Sequence, residues 1–395
     1  MKVLFIAPGD SLHTSRWIER VKAQGIDCIF YDMTSEALMH PISASRIYRV
    51  KNNRTYSIVD KLILISGPLG ELVRSFILTF KHYKSIKGII KSEKPDLIHL
   101  HWLFHATALA TSFIRDTPII STPWGSDLLT PEYRKVGNVF DKLKHKFVIK
   151  RVVKNSKAFC CDAKHMKESL ISNGAEAKSI QIIYFGTDVD LFSPSRRDPF
   201  FWKQFGLEAD SIKVLSNRVL ANMYDIETFI KASVIVGNNF SGADFVIAGG
   251  GPQADSLKKF AESEGTFNGI TFTGRLNDED FSKATASCDI YVSTSPTDGG
   301  IAASVAEAMA ASVPVLITNF GDNGYWLKDQ TAGFIFEIGN ENELAELILK
   351  LATDKEKRKE MGQKGREVIL QENNSKIEIE KILELYNFVV RTKVK

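Results

Sequence analysis

The sequence predicts two doubly wound α/β domains, each with a parallel sheet covered by helices on both faces. Three observations lead to this prediction. The chain has 395 residues, more than one hydrophobic core usually fills. Short β-rich apolar runs alternate with longer helical patterns, and this alternation occurs twice, on either side of a segment rich in turn formers. An apolar fraction of 44% and a charged fraction of 25% are typical of a chain that folds.

The prediction of each domain rests on a succession of apolar strands. In the first domain, residues 1–190, the predicted strands are Val3–Ala7, Cys28–Tyr31, Leu97–His101, Ile119–Thr122, Ala158–Cys161 and Ile180–Tyr184. In the second domain, residues 191–375, they are Lys213–Ser216, Asp244–Ala248, Ile270–Thr273, Ile290–Ser293 and Pro314–Ile317. The boundary is placed in the turn-rich segment Phe185–Arg197. Residues 376–395 are predicted to form a last helix, amphipathic over Ile377–Val389, that crosses back toward the first domain.

The composition also restricts the class of protein. The first residues, MKVLFIAPGD, form an apolar run that ends without the small-residue pattern of a signal-peptide cleavage site. No run reaches the roughly 18 apolar residues of a membrane-spanning helix. Cys28, Cys160, Cys161 and Cys288 lack metal-binding spacing, so reduced thiols in the core are the simplest interpretation. A cytoplasmic protein is expected, and a peripheral position at the inner face of the membrane stays open.

Charge is unevenly distributed along the chain. Residues 1–190 contain 28 Lys and Arg against 18 Asp and Glu, whereas the remainder contains 23 against 29. This asymmetry indicates that the first half meets a phospholipid surface or a lipid-linked diphosphate, and argues against nucleic acid as a partner. The segment 134–157 has nine basic residues against Asp141, with Phe140, Leu143, Phe147 and Val152 available for an apolar face. A sheet-covering helix with a solvated basic face is favoured there over a membrane-surface helix.

The segment STSPTDGGIAASVAEAMA, residues 293–310, carries the strongest functional pattern. A strand is followed by a glycine turn at Gly299 and Gly300, and a helix begins near Ile301. Free backbone N–H groups and the helix dipole would face a diphosphate there. Glu307 lies about two turns into the helix, where a carboxylate can accept both hydroxyls of a ribose. Asp298, just before the glycines, is placed to bind hydroxyls of a transferred sugar.

This segment resembles the EGFGLxxxEAMAxGxPV pattern of glycosyltransferase family 4. The resemblance implies the GT-B fold, in which two Rossmann-like domains with parallel sheets face each other across a cleft. In the family an acid precedes the glutamate by eight residues, but Asp298 precedes Glu307 by nine. Either the turn has one extra residue, or Gly299 occupies the position of the acid.

The resemblance extends to other turns of the second domain. Arg218 stands where the family has an arginine on the donor diphosphate, but Met223 replaces the lysine that usually follows. The turn Ala248–Pro252 (AGGGP) matches the family's GxGP turn, with Gly249 on the donor side in a structural role. Arg275 lies in the loop that the family places beside the nucleobase. Arg275 and Arg16 are the candidates to supply the missing positive charge.

Five residues of the first domain complete the candidate site. Gly9 lies in the loop that the resemblance places across the donor phosphates, and Arg16 follows at a helix start, where it could reach phosphate or acceptor. His101 resembles the family's cleft-facing histidine, with a satisfied core histidine as the alternative. Trp124 replaces the histidine of the family's THGxD segment; its ring can stack on a sugar but cannot share a hydroxyl's proton. Asp127, in the same segment, either faces the acceptor or holds the loop.

The resemblance implies a retaining transferase that needs no metal and no cofactor. The donor is expected to be a nucleotide-diphosphate sugar, with UDP favoured over GDP, and the acceptor a glycan or a lipid-linked molecule of cell-envelope polysaccharide or glycoconjugate synthesis. His101, Arg218 and Asp298 are the predicted catalytic residues. The sequence Asp188-Val189-Asp190 is interpreted as a turn cap in the hinge and not as a metal-binding DxD. A sugar-nucleotide epimerase on the same fold and a catalytically weak nucleotide-sugar-binding scaffold remain as alternatives.

Overall fold

A computed structural model of the chain describes residues 1–34, 38, 41–49, 55–103, 106–125, 127–128, 139–265, 269–297 and 300–392, with the backbone alone at 55–69, 71–72 and 139–141. The chain forms two compact units, Met1–Phe185 with Ile379–Lys395, and Gly186–Glu378. We call them unit 1 and unit 2. The chain leaves unit 1 inside the turn-rich segment identified from the sequence and returns to it near the start of the last helix.

The strands, numbered in chain order, are β1 Lys2–Ala7, β2 Asp27–Asp32, β3 Arg46–Arg49, β4 Leu97–His101, β5 Ile119–Thr122, β6 Ala158–Cys161, β7 Ile180–Ile182, β8 Ile212–Ser216, β9 Ala243–Ala248, β10 Ile270–Gly274, β11 Ile290–Ser293, β12 Val315–Thr318 and β13 Gly333–Phe336. The helices are α1 Leu12–Ala23, α2 Thr55–Glu93, α3 Ala106–Thr111, α4 Val139–Asn155, α5 Lys164–Ser172, α6 Ile226–Asn239, α7 Ala254–Ser263, α8 Asp278–Ser287, α9 Ala303–Ala310, α10 Asn323–Trp326, α11 Glu341–Ala352, α12 Lys355–Glu372 and α13 Ser375–Arg391.

Both sheets are parallel and wind in two directions from a central strand. The order is β3-β2-β1-β4-β5-β6-β7 in unit 1 and β10-β9-β8-β11-β12-β13 in unit 2. The winding reverses between β1 and β4 in the first sheet and between β8 and β11 in the second. Ligands of such sheets bind in the crevice beyond the carboxyl ends of the strands at this reversal. Each unit therefore has one crevice in which a site is expected.

Alternating strand residues divide the core of unit 1 into two layers. Val3 and Phe5 of β1 point toward α1 and α13, whereas Leu4 and Ile6 point toward α2, α3, α4 and α5. The α13 side chains in the first layer are Ile382, Leu385, Tyr386 and Val389. The last helix thus supplies part of the core of the first Rossmann-like unit. In the described part of the chain no helix is long and apolar enough to cross a bilayer.

Two strands at the sheet edges were not predicted. β3, with the sequence RIYR, is charged and largely exposed, so it has neither the apolar run nor the alternation of a strand. β13, GFIF, begins at a glycine, and a short apolar run does not by itself distinguish a strand from a helix. Each joins its sheet by pairing with one neighbour, β2 or β12.

All four cysteines are buried and unpaired, as the sequence predicted. Burial raises the pKa of the Cys28, Cys160 and Cys161 thiols to about 12. Such thiols are not reactive nucleophiles at neutral pH and contribute to packing.

Candidate active site

Arg218 is held at the reversal point of the unit 2 sheet by a network of hydrogen bonds. Its Nη1 donates to Ser304 Oγ at 3.2 Å. The hydroxyl oxygen of Tyr291, a buried residue of β11, lies 2.8 Å from Ser304 Oγ and 2.6 Å from Asn217 Oδ1. The Arg218 guanidinium also lies 4.4 Å from the centre of the Tyr224 ring. These contacts join the end of β8 to the start of α9 and fix a positive charge there.

The first turn of α9 supplies further groups for an anion. The helix begins after Ala302, and among the described residues no side chain caps it. The first N–H groups of a helix have no intrahelical acceptor, and the helix dipole adds positive potential at this end. Ser304 lies in this first turn, so Arg218 and the free N–H groups occupy the same crevice. This arrangement suits a phosphate or diphosphate.

Glu307 lies one turn further along the same helix. It follows Ser304 by three residues, and residues three apart lie on one helix face. The residue is only 5% exposed. Glu307 therefore lies on the same face of α9 as Ser304, which accepts the bond from Arg218; the ribose contact of Glu307 stays a prediction.

The glycine turn after β9 packs against the segment that carries Arg218. A Cβ on Gly249 would lie 2.3 Å from the Arg218 carbonyl oxygen, so no side chain fits there. The Gly249 N–H donates to the carbonyl of Gly274 at 2.9 Å, and the Leu220 N–H donates to the carbonyl of Gly250 at 3.0 Å. Gly249 thus sets the position of the Arg218 backbone. Arg275, next to Gly274, is exposed.

The loop after β11 is bound to the short helical turn Asn222–Tyr224. Thr294 Oγ1 donates to the Tyr224 carbonyl at 2.9 Å, and Thr297 Oγ1 donates to the Met223 carbonyl at 3.1 Å. The Met223 side chain, where the family has lysine, is 45% exposed.

The glycine turn at residues 298–301 is only partly described. Gly300 is buried and Ile301 half-buried. Asp298 and Gly299 lie outside the described residues. Both explanations of the one-residue shift therefore remain: an extra residue in the turn, or Gly299 at the position of the family's acid.

In unit 1, Gly9 contacts Asp32, an acid that is not among the predicted site residues. The Gly9 N–H donates to Asp32 Oδ1 at 3.0 Å, and a Cβ on Gly9 would lie 2.6 Å from the Asp32 carboxylate. Asp32 ends β2 and also accepts the Thr34 N–H at 2.9 Å. The Asp32 carboxylate therefore fixes the loop after β1. Arg16 lies half-buried on α1.

The two histidines of β4 have different environments. His99 is fully satisfied, because its Nδ1 lies 2.6 Å from the Tyr386 hydroxyl and its Nε2 lies 2.7 Å from Thr122 Oγ1. His101 is 1% exposed, and its Nε2 has no hydrogen-bond partner among the described residues. Burial lowers the pKa of His101 to about 3, so its ring is neutral at physiological pH. His99 is thus a satisfied core histidine, whereas the Nε2 of His101 is buried without a hydrogen-bond partner among the described residues, and its cleft-facing role stays a prediction.

Trp124 and Trp102 form an aromatic pair at the carboxyl edge of the same sheet. Both are half-buried, and their ring centres lie 5.8 Å apart at an interplanar angle of 83°. Trp102 has φ of 65°, an outlier for a bulky residue and of a kind that concentrates at functional sites. Two tryptophan rings held in this way can present an apolar face to a sugar.

Asp127 holds the loops on which the tryptophans lie. Its Oδ1 accepts the Trp124 N–H at 2.8 Å, and its Oδ2 accepts the Leu103 N–H at 2.6 Å. Burial raises its pKa to about 6, although these bonds favour the charged form. Both oxygens are engaged with the backbone, and the residue is 1% exposed. Of the two roles considered from the sequence, the geometry supports holding the loop. Ser126 lies outside the described residues.

The first aspartate of the DVD sequence, Asp188, caps a turn, as the sequence predicted. Asp188 Oδ1 accepts the N–H groups of Asp190 and Leu191 at 3.2 and 2.9 Å, which is a turn cap. Asp190 pairs with Lys376 at 2.7 Å. No cluster of three or more metal-ligating side chains occurs among the residues that the structure describes.

Two sequence families match the chain, one in each unit. The family described as "Glycosyl transferase 4-like" matches residues 2–163, and the family described as "Glycosyl transferases group 1" matches residues 199–368. Together the two matches span most of the chain, and each falls on one of the two Rossmann-like sheets. The chain belongs to the GT-B glycosyltransferases of family 4.

Individual relatives are distant. A GDP-mannose-dependent α-(1-6)-phosphatidylinositol monomannoside mannosyltransferase of Mycobacterium tuberculosis is 26% identical over 231 residues; the match spans 56% of this chain and only 59% of that protein. An uncharacterized glycosyltransferase of Methanocaldococcus jannaschii is 25% identical over 91% of this chain and 89% of its own length. Among solved structures, Anabaena HepE in complex with UDP and glucose has a TM-score of 0.73 at 18% identity, covering 97% of this chain and 98% of its own.

Proposed function

We propose that this enzyme transfers a hexose from a nucleoside diphosphate sugar to a hydroxyl group of a glycan or lipid-linked acceptor, with retention at the anomeric carbon. The contact between Arg218 and Ser304 at the start of α9 carries the proposal, since it places a fixed positive charge beside free N–H groups. The pathway served would be the assembly of cell-envelope polysaccharide or glycoconjugate.

In the proposed reaction the acceptor oxygen forms a bond to the anomeric carbon while the bond from that carbon to the β-phosphate oxygen breaks. The electron pair leaves with the nucleoside diphosphate, and the acceptor's proton passes to the departing phosphate oxygen on the same face of the sugar. Arg218 and the first N–H groups of α9 would stabilise the negative charge that develops on the diphosphate. Glu307 would bind the ribose hydroxyls, and Asp298 the hydroxyls of the sugar. No metal is needed in this scheme.

We favour UDP over GDP as the nucleotide. HepE, which shares the fold over nearly the whole chain, was solved with UDP. The mannosyltransferase that uses GDP-mannose matches little more than half of this chain. Arg275 and the backbone around Gly274 would lie beside the base.

The sugar-binding end would be formed by Trp124 and His101. The family's sugar-contacting histidine is replaced by Trp124, so the indole would stack on the apolar face of a sugar. His101 Nε2, which has no partner among the described residues, would donate one hydrogen bond in this crevice. Arg16 on α1 would lie on the acceptor or phosphate side.

The first experiment is a thermal-shift screen of the full chain with UDP, GDP, ADP and CMP. We expect UDP to raise Tm most, and EDTA to leave the shift unchanged. Candidate sugars of the stabilising nucleotide are then tested with mass detection, and the anomeric configuration of the product is determined by NMR. An inverted product would contradict the retaining mechanism, and a larger shift by GDP would contradict the choice of nucleotide.

Nucleotide release measured with and without acceptor separates transfer from the alternatives. A transferase releases nucleoside diphosphate in proportion to glycosylated acceptor. An epimerase of the kind considered from the sequence would release nucleotide and an altered sugar without acceptor. A scaffold would bind the nucleotide sugar and release neither.

A further inference from the structure

The outer face of α2 carries apolar side chains exposed to solvent. Val73, Phe76 and Phe80 are 51%, 75% and 51% exposed. They are spaced by three and four residues, which places them on one face of the helix. Lys84 continues this face, and its Nζ lies 4.7 Å from the centre of the Phe80 ring. Single exposed apolar residues are normal on a protein surface, whereas a contiguous group of them marks an interaction surface.

The outer face of α4 has the same character. Leu143 and Phe147 are 60% and 59% exposed. Lysines at 142, 146 and 150 are also exposed and alternate with these apolar residues along the helix. Val148, Ile149, Val152 and Val153 are buried on the opposite face. The inner face of α4 packs against the core of unit 1, as predicted for a sheet-covering helix. Val152 belongs to this inner face and so does not share an apolar face with the exposed Leu143 and Phe147.

Phe113 lies between α2 and α4 and contacts a residue of each. It is 40% exposed, and its ring centre lies 6.5 Å from that of Tyr83 on α2 and 4.3 Å from the guanidinium of Arg151 on α4. We define the aromatic–basic surface by its apolar and its basic side chains: Phe76, Phe80, Phe113, Leu143 and Phe147 with Lys84, Lys142, Lys146 and Lys150. The described acid nearest in sequence to Phe113 is Asp116, which pairs with Lys87.

We propose that the aromatic–basic surface binds an anionic phospholipid bilayer. Charge complementarity identifies this occupant: lysines lie between the apolar side chains, as in helices whose aromatic groups enter the headgroup region while lysines contact anionic headgroups. The excess of basic over acidic residues in the first 190 positions also favours binding to an anionic surface. The surface consists of residues of unit 1, whereas the nucleotide crevice proposed above consists of residues of unit 2. It goes beyond the proposed function and does not depend on which nucleotide or sugar the enzyme uses.

The test is co-sedimentation of the full chain with vesicles of phosphatidylcholine alone and with vesicles that also contain phosphatidylglycerol. We expect binding only to the anionic vesicles, decreasing as salt increases. The double variants Phe76→Ser/Phe147→Ser and Lys142→Glu/Lys146→Glu should each weaken binding by about tenfold or more, given several lost contacts per variant.

A matched control is available in unit 2. Phe200 is 61% exposed, and the Lys203 Nζ lies 4.7 Å from its ring centre, the same arrangement as Phe80 with Lys84. Phe200→Ser should bind anionic vesicles like the unmodified enzyme. Nucleotide-dependent thermal shift and transfer to a soluble acceptor should be preserved in all variants, which separates this proposal from the catalytic one.

Three outcomes would overturn the proposal. The first is equal binding, or no binding, to both kinds of vesicle. The second is an equal loss of binding in Phe200→Ser. The third is a dimer in sedimentation equilibrium that Phe76→Ser/Phe147→Ser dissociates without effect on vesicles, which would assign the surface to a second copy of the chain.

Discussion

The Nε1–H of Trp124 donates to Nδ1 of His101 at 3.2 Å. Because Nδ1 accepts this bond, the proton of the neutral imidazole lies on Nε2. The indole thus determines the tautomer of the histidine. Trp124, which replaces the histidine of the family's THGxD segment, is thereby coupled to His101. The Nε2 of His101 is left as a hydrogen-bond donor.

The neutral state of His101 predicts a dependence of stability on pH. The pKa of His101 is lowered to about 3 by burial, against 6.5 for the free side chain. Below pH 6.5 the unfolded chain therefore binds a proton that the folded chain excludes. The contribution of neutral His101 to the free energy of unfolding is complete above pH 6.5. It is lost as the pH falls toward 3, by up to about 1.4 kcal/mol per pH unit. His101→Asn, which keeps an acceptor, should reduce this slope in urea unfolding between pH 7 and pH 5. An unchanged slope would mean that His101 does not titrate in this way.

Trp124 is expected to act through its ring. Trp124→Ala should raise KM for the sugar substrate about five- to tenfold, since an aromatic contact contributes on the order of 1 kcal/mol. Trp124→Phe keeps a ring and loses only the hydrogen bond to His101, so its KM should change much less. The measurement is steady-state kinetics with both substrates varied in turn. Equal effects of Ala and Phe would indicate that the N–H group and not the ring is responsible.

Glu307→Ala should abolish the rise in Tm caused by the nucleotide while leaving the fold intact. A charged hydrogen bond contributes about 1.5–3 kcal/mol, so nucleotide binding should weaken roughly 10- to 100-fold. Glu346, an exposed glutamate of α11, gives the matched control, and Glu346→Ala should retain the full shift. Retention of the full shift in Glu307→Ala would rule out the ribose role.

Tyr291→Phe tests the network that positions Arg218. Removal of the hydroxyl leaves Asn217 and Ser304 without a shared partner, while the bond from Arg218 to Ser304 remains. We expect kcat to fall about tenfold with a smaller change in the KM of the donor, because the loss affects placement of the charge more than binding. Tyr325→Phe removes a hydroxyl bonded to Glu372 elsewhere in unit 2 and should be neutral. A loss of stability without a loss of kcat would make the network purely structural.

The sequence was sufficient for the strands that carry the site, because these are buried apolar runs followed by polar or turn-forming residues. Arg218, Gly249 and Glu307 could be selected because the turns and the helix that carry them resemble the pattern of the family. The partners of these residues could not be selected. Tyr291 is an ordinary strand residue in the sequence, and only the parallel pairing of β11 with β8 brings its hydroxyl to Asn217.

Burial and tertiary contacts also decide roles that the sequence leaves equal. His99 and His101 are two residues apart on one face of β4, and both fit a cleft or a core histidine. The difference depends on Tyr386, nearly 290 positions away, which bonds to His99 and not to His101. Asp127 likewise fits two roles in the sequence, and its two backbone hydrogen bonds favour one of them.

The placement of α13 has a consequence for synthesis of the protein. Tyr386, which bonds to His99, and Leu385 beside it are translated only after all of unit 2 has been made. The first layer of the unit 1 core therefore stays incomplete while the ribosome produces the second unit. On this chain the amino-terminal unit is the first to emerge and the last to close, so a nascent chain stalled before Ile379 would hold a folded unit 2 and an unfinished unit 1.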